Sequence, residues 1–369
     1  MKIKRVIIRR LQMRMKEPFE TSFGREEEKD FLLVRVDTGH SEGYGECTAS
    51  LAPLYSEETT ATAQQMLTTW FVPALLGQEI AHPDEVRQRL RPFRRNQMAK
   101  AALETAIWDA FAKEQGLSLA KALGGNKAEV QVGISVGIQS TTLQLLEKIE
   151  GYLLQGYKRI KVKIRPGWDL EILRAIRKQF PEIALMADAN SAYRLQDLDH
   201  LIRLDEFGLT MIEQPLAHDD IIDHAALQAK LQTPICLDES IHSTEDAKKA
   251  IAVGACQVIN VKVGRLGGLT EARELQALCA QQNTPVWCGG MLEAGVGRLT
   301  NLAVTSLPGF VLPGDTAPSA RYFDEDIIDP PVCFVKPGII SVPEGAGIGA
   351  YVREDRVEKF TVDRVELSS

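Results

Sequence analysis

What most constrains the fold of this chain is a regular beat of charged residues at the ends of short apolar runs. Lys161-Val162-Lys163 comes first. Asp188 then closes the run 183–187, Glu213 closes 209–212, Asp238 closes 234–237 and Lys262 closes 258–261. From Lys163 onward the intervals are 25, 25, 25 and 24 residues. That is the length of one strand plus one returning helix, as a parallel crossover requires. In a closed barrel of such units the C-terminal strand ends share one face, where chemistry is carried out. The spacing therefore predicts lysines and carboxylates around one cavity.

The pattern on either side completes the expectation. Residues 1–60 read as β structure, with the run 31–36 leading into a turn and Gly43-Tyr44-Gly45-Glu46 as a second, turn-rich edge. Pro18-Phe19-Glu20-Thr21-Ser22-Phe23-Gly24-Arg25 reads as a polar loop with two aromatic rings, either covering a ligand or packed in the small domain's core. Residues 57–125 read as helical, and 98–111 is rich in good helix formers with Leu103, Ile107 and Phe111 on one face. Gly124-Gly125-Asn126 makes a boundary. From Val130 strands and helices alternate: residues 130–136 form a first strand, 159–163 a second, and 311–315 the last of eight. The expected architecture is an α/β, (β/α)8-type modified TIM barrel over residues 126–320. An α+β capping domain over 1–125 is joined by a C-terminal segment, 321–369, that returns to it.

Composition narrows the function. The formal charge is −7 with no basic stripe, which speaks against nucleic acid as a partner. No apolar run approaches the roughly 20 residues of a membrane span. The basic start holds only Val6-Ile7-Ile8 before Arg9, too short for a signal-peptide core. Cys47, Cys236, Cys256, Cys279, Cys288 and Cys333 show no paired spacing and read as reduced thiols of a cytoplasmic protein.

Three carboxylates on adjacent strand ends are hard oxygen ligands of the kind Mg²⁺ takes, and without a cation their mutual burial is costly. Any one of them alone could be a helix N-cap, but three in phase on consecutive strands point to metal. Lys161 and Lys163 are two apart and so face one side of their strand. Lys262 lies four strands on, across the ring. An ion and neighbouring cations, Arg265 among them, are expected to lower the lysine pKa values toward the range of a general base. A metal that grips a carboxylate stabilises the enolate left when the α-proton departs.

Lys161-x-Lys163, Asp188-Ala-Asn190, Glu213-Gln214-Pro215, Asp238-Glu239-Ser240 and Lys262-x-Gly264 resemble the enolase superfamily in its muconate-lactonizing branch. Lysine bases beside Mg²⁺ and an ene-diolate are a known pattern of such sites. The segments 262–268 and 289–293 are similar to the o-succinylbenzoate synthase / N-succinylamino acid racemase family, and residues 18–24 look like its capping loop. The resemblance implies Mg²⁺, or Mn²⁺ or another divalent ion in its place, on Asp188, Glu213 and Asp238. It implies Lys163 as base, Lys262 across the substrate and Lys161 in support, with Asn190, Glu239 and Arg265 behind them. Phe19, Phe23, Tyr55, Ser135, Gly290, Met291 and Phe323 are implied as the substrate lining. The implied substrate is a small carboxylate, the implied assembly a homo-oligomer, and the implied reactions dehydration to o-succinylbenzoate and racemisation of N-acylamino acids. Muconate cycloisomerisation stays open. Dipeptide epimerases carry Asp-x-Asp on the last strand, whereas Pro313-Gly314-Asp315-Thr316 holds one aspartate. A Schiff-base aldolase built on Lys163 or Lys262 leaves the three carboxylates unexplained, and a pure binding module leaves the whole ring unexplained.

Overall fold

The computed structural model describes all 369 residues. Seven short parallel strands form one curled sheet, each hydrogen-bonded to its neighbour in sequence: Ile134–Val136, Ile160–Lys163, Leu185–Asp188, Ile212–Glu213, Ile235–Leu237, Val258–Val261 and Val286–Cys288. Their residues are nearly all buried, as expected for a sheet covered by crossover helices.

Two strand readings are corrected. Residues 130–136 are not one strand. Glu129–Gln131 pairs antiparallel with Ile339–Ser341, and only Ile134–Val136 joins the barrel. The break falls at Gly133, where a Cβ would stand 2.5 Å from the Arg159 guanidinium. Nor is 311–315 a regular eighth strand. It closes the ring as an irregular segment, with Phe310 bridging Val286 and Gly314 bridging Val132. Gly133 N donates to Gly314 O at 2.7 Å and Asp315 N to Cys288 O at 2.8 Å. Pro313, which has no N–H, removes a ladder donor between them.

The cap is a four-stranded antiparallel sheet in which the C-terminal strand Thr361–Ser368 pairs with Arg5–Glu20. The segment thus returns to the N-terminal region, although its middle part, through Ile339–Ser341, pairs beside the barrel. Across this sheet lies the helix Gln97–Glu114. Strand Glu42–Cys47 lies very close to it: a Cβ at Gly43 or Gly45 would come within 2.0 Å of the Ala106 or Ala102 carbonyl oxygen. Leu103 and Ile107 are fully buried and Phe111 half-buried, but the helix is buried on nearly every side rather than along one stripe. The reason is that it also carries the barrel, as described below. No helix is long and apolar enough to cross a membrane.

Candidate active site

Alternation along the barrel strands places the charged set. Lys163, Asp188 and Glu213 are register partners on three consecutive strands, while Asp238 and Lys262 stand just beyond their own. All are buried. Lys163 Nζ donates to Asp188 Oδ2 at 2.6 Å and to Asn190 Oδ1 at 2.7 Å, and Asn190 Nδ2 donates to Glu239 Oε1 at 2.9 Å. Lys161 Nζ lies 3.0 Å from Glu213 Oε2, 3.3 Å from Asp188 Oδ2 and 2.9 Å from Asp315 Oδ2. Lys262 Nζ is 2.9 Å from Asp238 Oδ2 and 3.0 Å from the Tyr55 hydroxyl, with the ammonium over the Tyr55 ring. Arg265 also pairs with Asp238. Asn190, Ser191 and Gln214 hold positive φ, a strained backbone that persists where surroundings enforce it.

Above these groups opens a cavity of about 400 Å³. Lys161, Lys163 and Lys262 all line it, together with Phe19, Phe23, Tyr55, Ser135, Gly290 and Met291. Phe19 does both jobs left open for the aromatic loop, since it lines the cavity and belongs to the core. Ser135 Oγ is buried without a partner. Phe323 is corrected: it sits in the apolar core, and its neighbour Tyr322 lines the cavity instead.

The protein's own charges do not by themselves lower Lys161 and Lys262 toward neutrality. Burial pushes both down, but Asp315, Glu213 and Asp188 around Lys161, and Asp238 beside Lys262, outweigh it and raise both. Arg265 does not act on Lys262 as a free cation, because its guanidinium is engaged by Asp238 and the Ile241 and Asn260 carbonyls.

The carboxylates carry the converse imbalance. Burial, with Asp188 and Asp238 adding to it, pushes Glu213 up to about 7. Burial, then Asp238 and Asp188, pushes Glu239 to about 8, and its Oε2 has no partner. No three acidic, histidine or cysteine side chains stand in coordinating range of a common point; Asp188, Glu213 and Asp238 each have an oxygen drawn onto a lysine. The oxygen donor set, and the burial and neighbouring carboxylates that oppose ionisation of Glu213 and Glu239, nonetheless fit a divalent cation.

Four participants were not among the residues singled out for the site. Asp315 ties Lys161 to Arg159. Asn260 Nδ2 donates to Glu213 Oε1 at 2.7 Å. Gln214 Oε1 accepts from Asp238 N at 2.9 Å and Ser240 N at 3.3 Å, stitching two strand ends together. The signal for two of them was present. Arg159, Lys161 and Lys163 alternate on one strand, as do Asn260 and Lys262 on another, so each shares a face with a residue already singled out.

Fold and site together define a class, the enolase-like proteins. Residues 3–124 match the family model "Mandelate racemase / muconate lactonizing enzyme, N-terminal domain", and residues 144–356 match "Enolase C-terminal domain-like". An o-succinylbenzoate synthase from Geobacillus stearothermophilus is 55% identical over 360 residues, covering 97% of this chain and 96% of that protein. An N-succinylamino acid racemase from Thermus thermophilus is 48% identical, covering 98% of each. A solved enolase-superfamily structure from Listeria innocua superposes with a TM-score of 0.96 at 41% identity, covering 100% of this chain and 99% of that one. The chain belongs to the o-succinylbenzoate synthase / N-succinylamino acid racemase family of the enolase superfamily, a family of enzymes that work with a divalent metal.

Proposed function

We propose that this chain is an o-succinylbenzoate synthase that also racemises N-succinylamino acids, with Lys163 and Lys262 as its acid/base pair. The observation that carries this reading is the presence of both amines on one cavity, four strands apart, in a chain so similar to synthases and racemases along its whole length. Asp188, Glu213 and Asp238 would hold Mg²⁺, which when bound would supply positive charge where negative charge develops on the substrate.

In the dehydration, Lys163 takes the proton α to the substrate carboxylate, breaking the C–H bond. The same ammonium then returns a proton to the departing hydroxyl, so that C–O cleavage releases water. In the racemisation, one of Lys163 and Lys262 takes the α-proton and the other delivers one to the opposite face. Lys161, held by Asp315 and Glu213, offsets part of the carboxylate charge on the floor of the site. Phe19, Phe23, Tyr55 and Met291 surround the acyl or aromatic portion, and Ser135 Oγ offers it a free hydroxyl.

We assign this chemistry to residues 126–320 and the cover of the cavity to 1–125 and 321–369. Six unbridged cysteines suit a reducing, cytoplasmic setting.

The test is a side-by-side assay on the cyclohexadiene precursor of o-succinylbenzoate and on both enantiomers of N-succinyl amino acids, with and without chelator. Turnover of the precursor that chelation stops and Mg²⁺ restores is expected. Turnover of neither substrate by the Mg²⁺-loaded protein would overturn the reading.

A further inference from the structure

Lys262 stands at the head of a short segment that Arg265 ties to the barrel on one side and the cap grips on the other. After Lys262 come the four-residue helix Val263–Leu266, two glycines at positive φ, Gly267 and Gly268, and then the helix Leu269–Gln281. That second helix starts without a side-chain cap of its own, because its N-cap residue is Gly268. Helix starts leave backbone N–H groups unpaired. Here the acceptor comes from the other lobe. Glu104, in the cap helix Gln97–Glu114, accepts from Leu269 N at 2.8 Å, Thr270 N at 2.9 Å and the Thr270 hydroxyl at 2.6 Å. Trp108, one turn on, donates its indole N–H to the same carboxylate at 2.9 Å and thereby orients it.

The segment is gripped along its length. Gln97, seven residues before Glu104 on the same stripe of helix, donates to Leu266 O at 3.4 Å and His242 O at 3.2 Å. A Cβ at Gly264 would meet Thr48 Oγ1 at 2.3 Å, and one at Gly268 would meet Glu104 Oε2 at 2.4 Å, so the backbone lies directly on the cap. Lys163, by contrast, sits within its strand and owes its place to the barrel ladder.

We infer that Glu104 is a positioning residue for Lys262: the cap helps to set one of the two amines of the site and leaves the other to the barrel. The inference rests on the two-amine reading above.

A matched control lies in the same interface. Glu46, on the cap strand Glu42–Cys47, accepts from Ala294 N and Gly297 N, both at 2.9 Å, and so caps the barrel helix Gly295–Thr305. The loop before that helix carries no amine.

The experiment follows α-proton exchange in deuterated water, with Mg²⁺, on each enantiomer of an N-succinyl amino acid. The proteins are the wild type, Lys262→Ala, Glu104→Gln, Thr270→Val and Glu46→Gln. Lys262→Ala identifies the enantiomer that Lys262 serves. Glu104→Gln is expected to slow exchange of that enantiomer at least about tenfold more than the other, and Thr270→Val to do the same more weakly. Glu46→Gln should slow both alike. Equal losses for both enantiomers in Glu104→Gln and Thr270→Val would overturn the inference while leaving the two-amine site intact. Absence of exchange in the wild type would overturn the two-amine site and the inference with it. Should Glu104→Gln fail to fold, Thr270→Val decides alone.

Discussion

Asp315 and Arg159 offer the sharpest test of how the floor of the site is held. Both side chains are almost wholly buried, at 7% and 3% exposure. Arg159 has Asp315 as its one anionic partner, and otherwise touches Met186 Sδ and the face of Trp287. Asp315 has two cations, Arg159 and Lys161. Lys161 keeps Glu213 and Asp188 if Asp315 is lost. The pair is therefore asymmetric. Asp315→Asn leaves a buried guanidinium uncompensated, which costs about 3–5 kcal/mol. Arg159→Met leaves Asp315 with Lys161 and an apolar, volume-matched side chain against Trp287, so its cost should stay under about 2 kcal/mol. In the double variant the uncompensated charge is gone, and its cost should lie within about 1 kcal/mol of Arg159→Met alone. Urea unfolding in the presence of chelator, followed by far-UV circular dichroism and indole fluorescence, measures all four corners without a contribution from bound metal. A loss below 1 kcal/mol for Asp315→Asn, or strict additivity in the double variant, would refute the assignment of Arg159 as dependent on Asp315.

Lys163→Ala should lower precursor turnover by at least the roughly 10²–10⁴-fold that a general base supplies; a smaller loss in steady-state kinetics would move that role elsewhere. Asp238→Asn removes the acceptor shared by Lys262, Arg265 and Tyr55, so weaker Mg²⁺ binding by calorimetry and a lowered unfolding midpoint are expected together. Unchanged Mg²⁺ affinity there would remove Asp238 from the ligand set. Glu58 accepts from Met98 N at 2.8 Å and Ala99 N at 3.0 Å, yet burial pushes it up to about 7. A carboxyl raised in the folded state contributes stability that is complete below its unfolded pKa and is lost as pH rises through its folded one. Glu58→Gln should therefore flatten the fall in wild-type stability between about pH 4.5 and 7; parallel stability–pH curves for the two proteins would count against it.

The parts legible in the sequence were those with a short period. Strand alternation and the beat of one crossover unit were enough to bring Lys163, Asp188, Glu213, Asp238 and Lys262 to one end of the barrel, because both periods are local. What stayed hidden depends on partners far away in the chain. Asp315 lies 156 residues from Arg159 and on a segment with no regular strand pattern. Phe323 and Tyr322 are adjacent aromatics, and nothing in their spacing says which one turns toward the cavity. That the Arg159 guanidinium leaves no room for a side chain at Gly133, where the strand breaks, is again a tertiary fact. At Lys161 and Lys262 the sequence reading weighed cations and an ion, whereas the carboxylates of Asp315, Glu213 and Asp238, which raise these two amines, come from distant segments.

The hold of the carboxylates on these amines has a consequence for binding. Lys262 can accept a proton only after losing one, and Asp238, with its oxygens on Lys262 and Arg265, opposes the loss. A carboxylate substrate brings more negative charge into a cavity lined by Asp315 and lying above Glu213 and Asp238, so it raises the neighbouring amines further. Positive charge must enter with it. Substrate and divalent cation are then coupled ligands, and each must raise the affinity of the other by the same factor. Calorimetric titration of o-succinylbenzoate into the protein with Mg²⁺ and with chelator, and of Mg²⁺ with and without o-succinylbenzoate, reads the two factors separately. Both are expected to exceed about tenfold, or 1.4 kcal/mol. Equal affinity for o-succinylbenzoate in chelator and in Mg²⁺ would mean that the buried carboxylates do not govern the charge of the site.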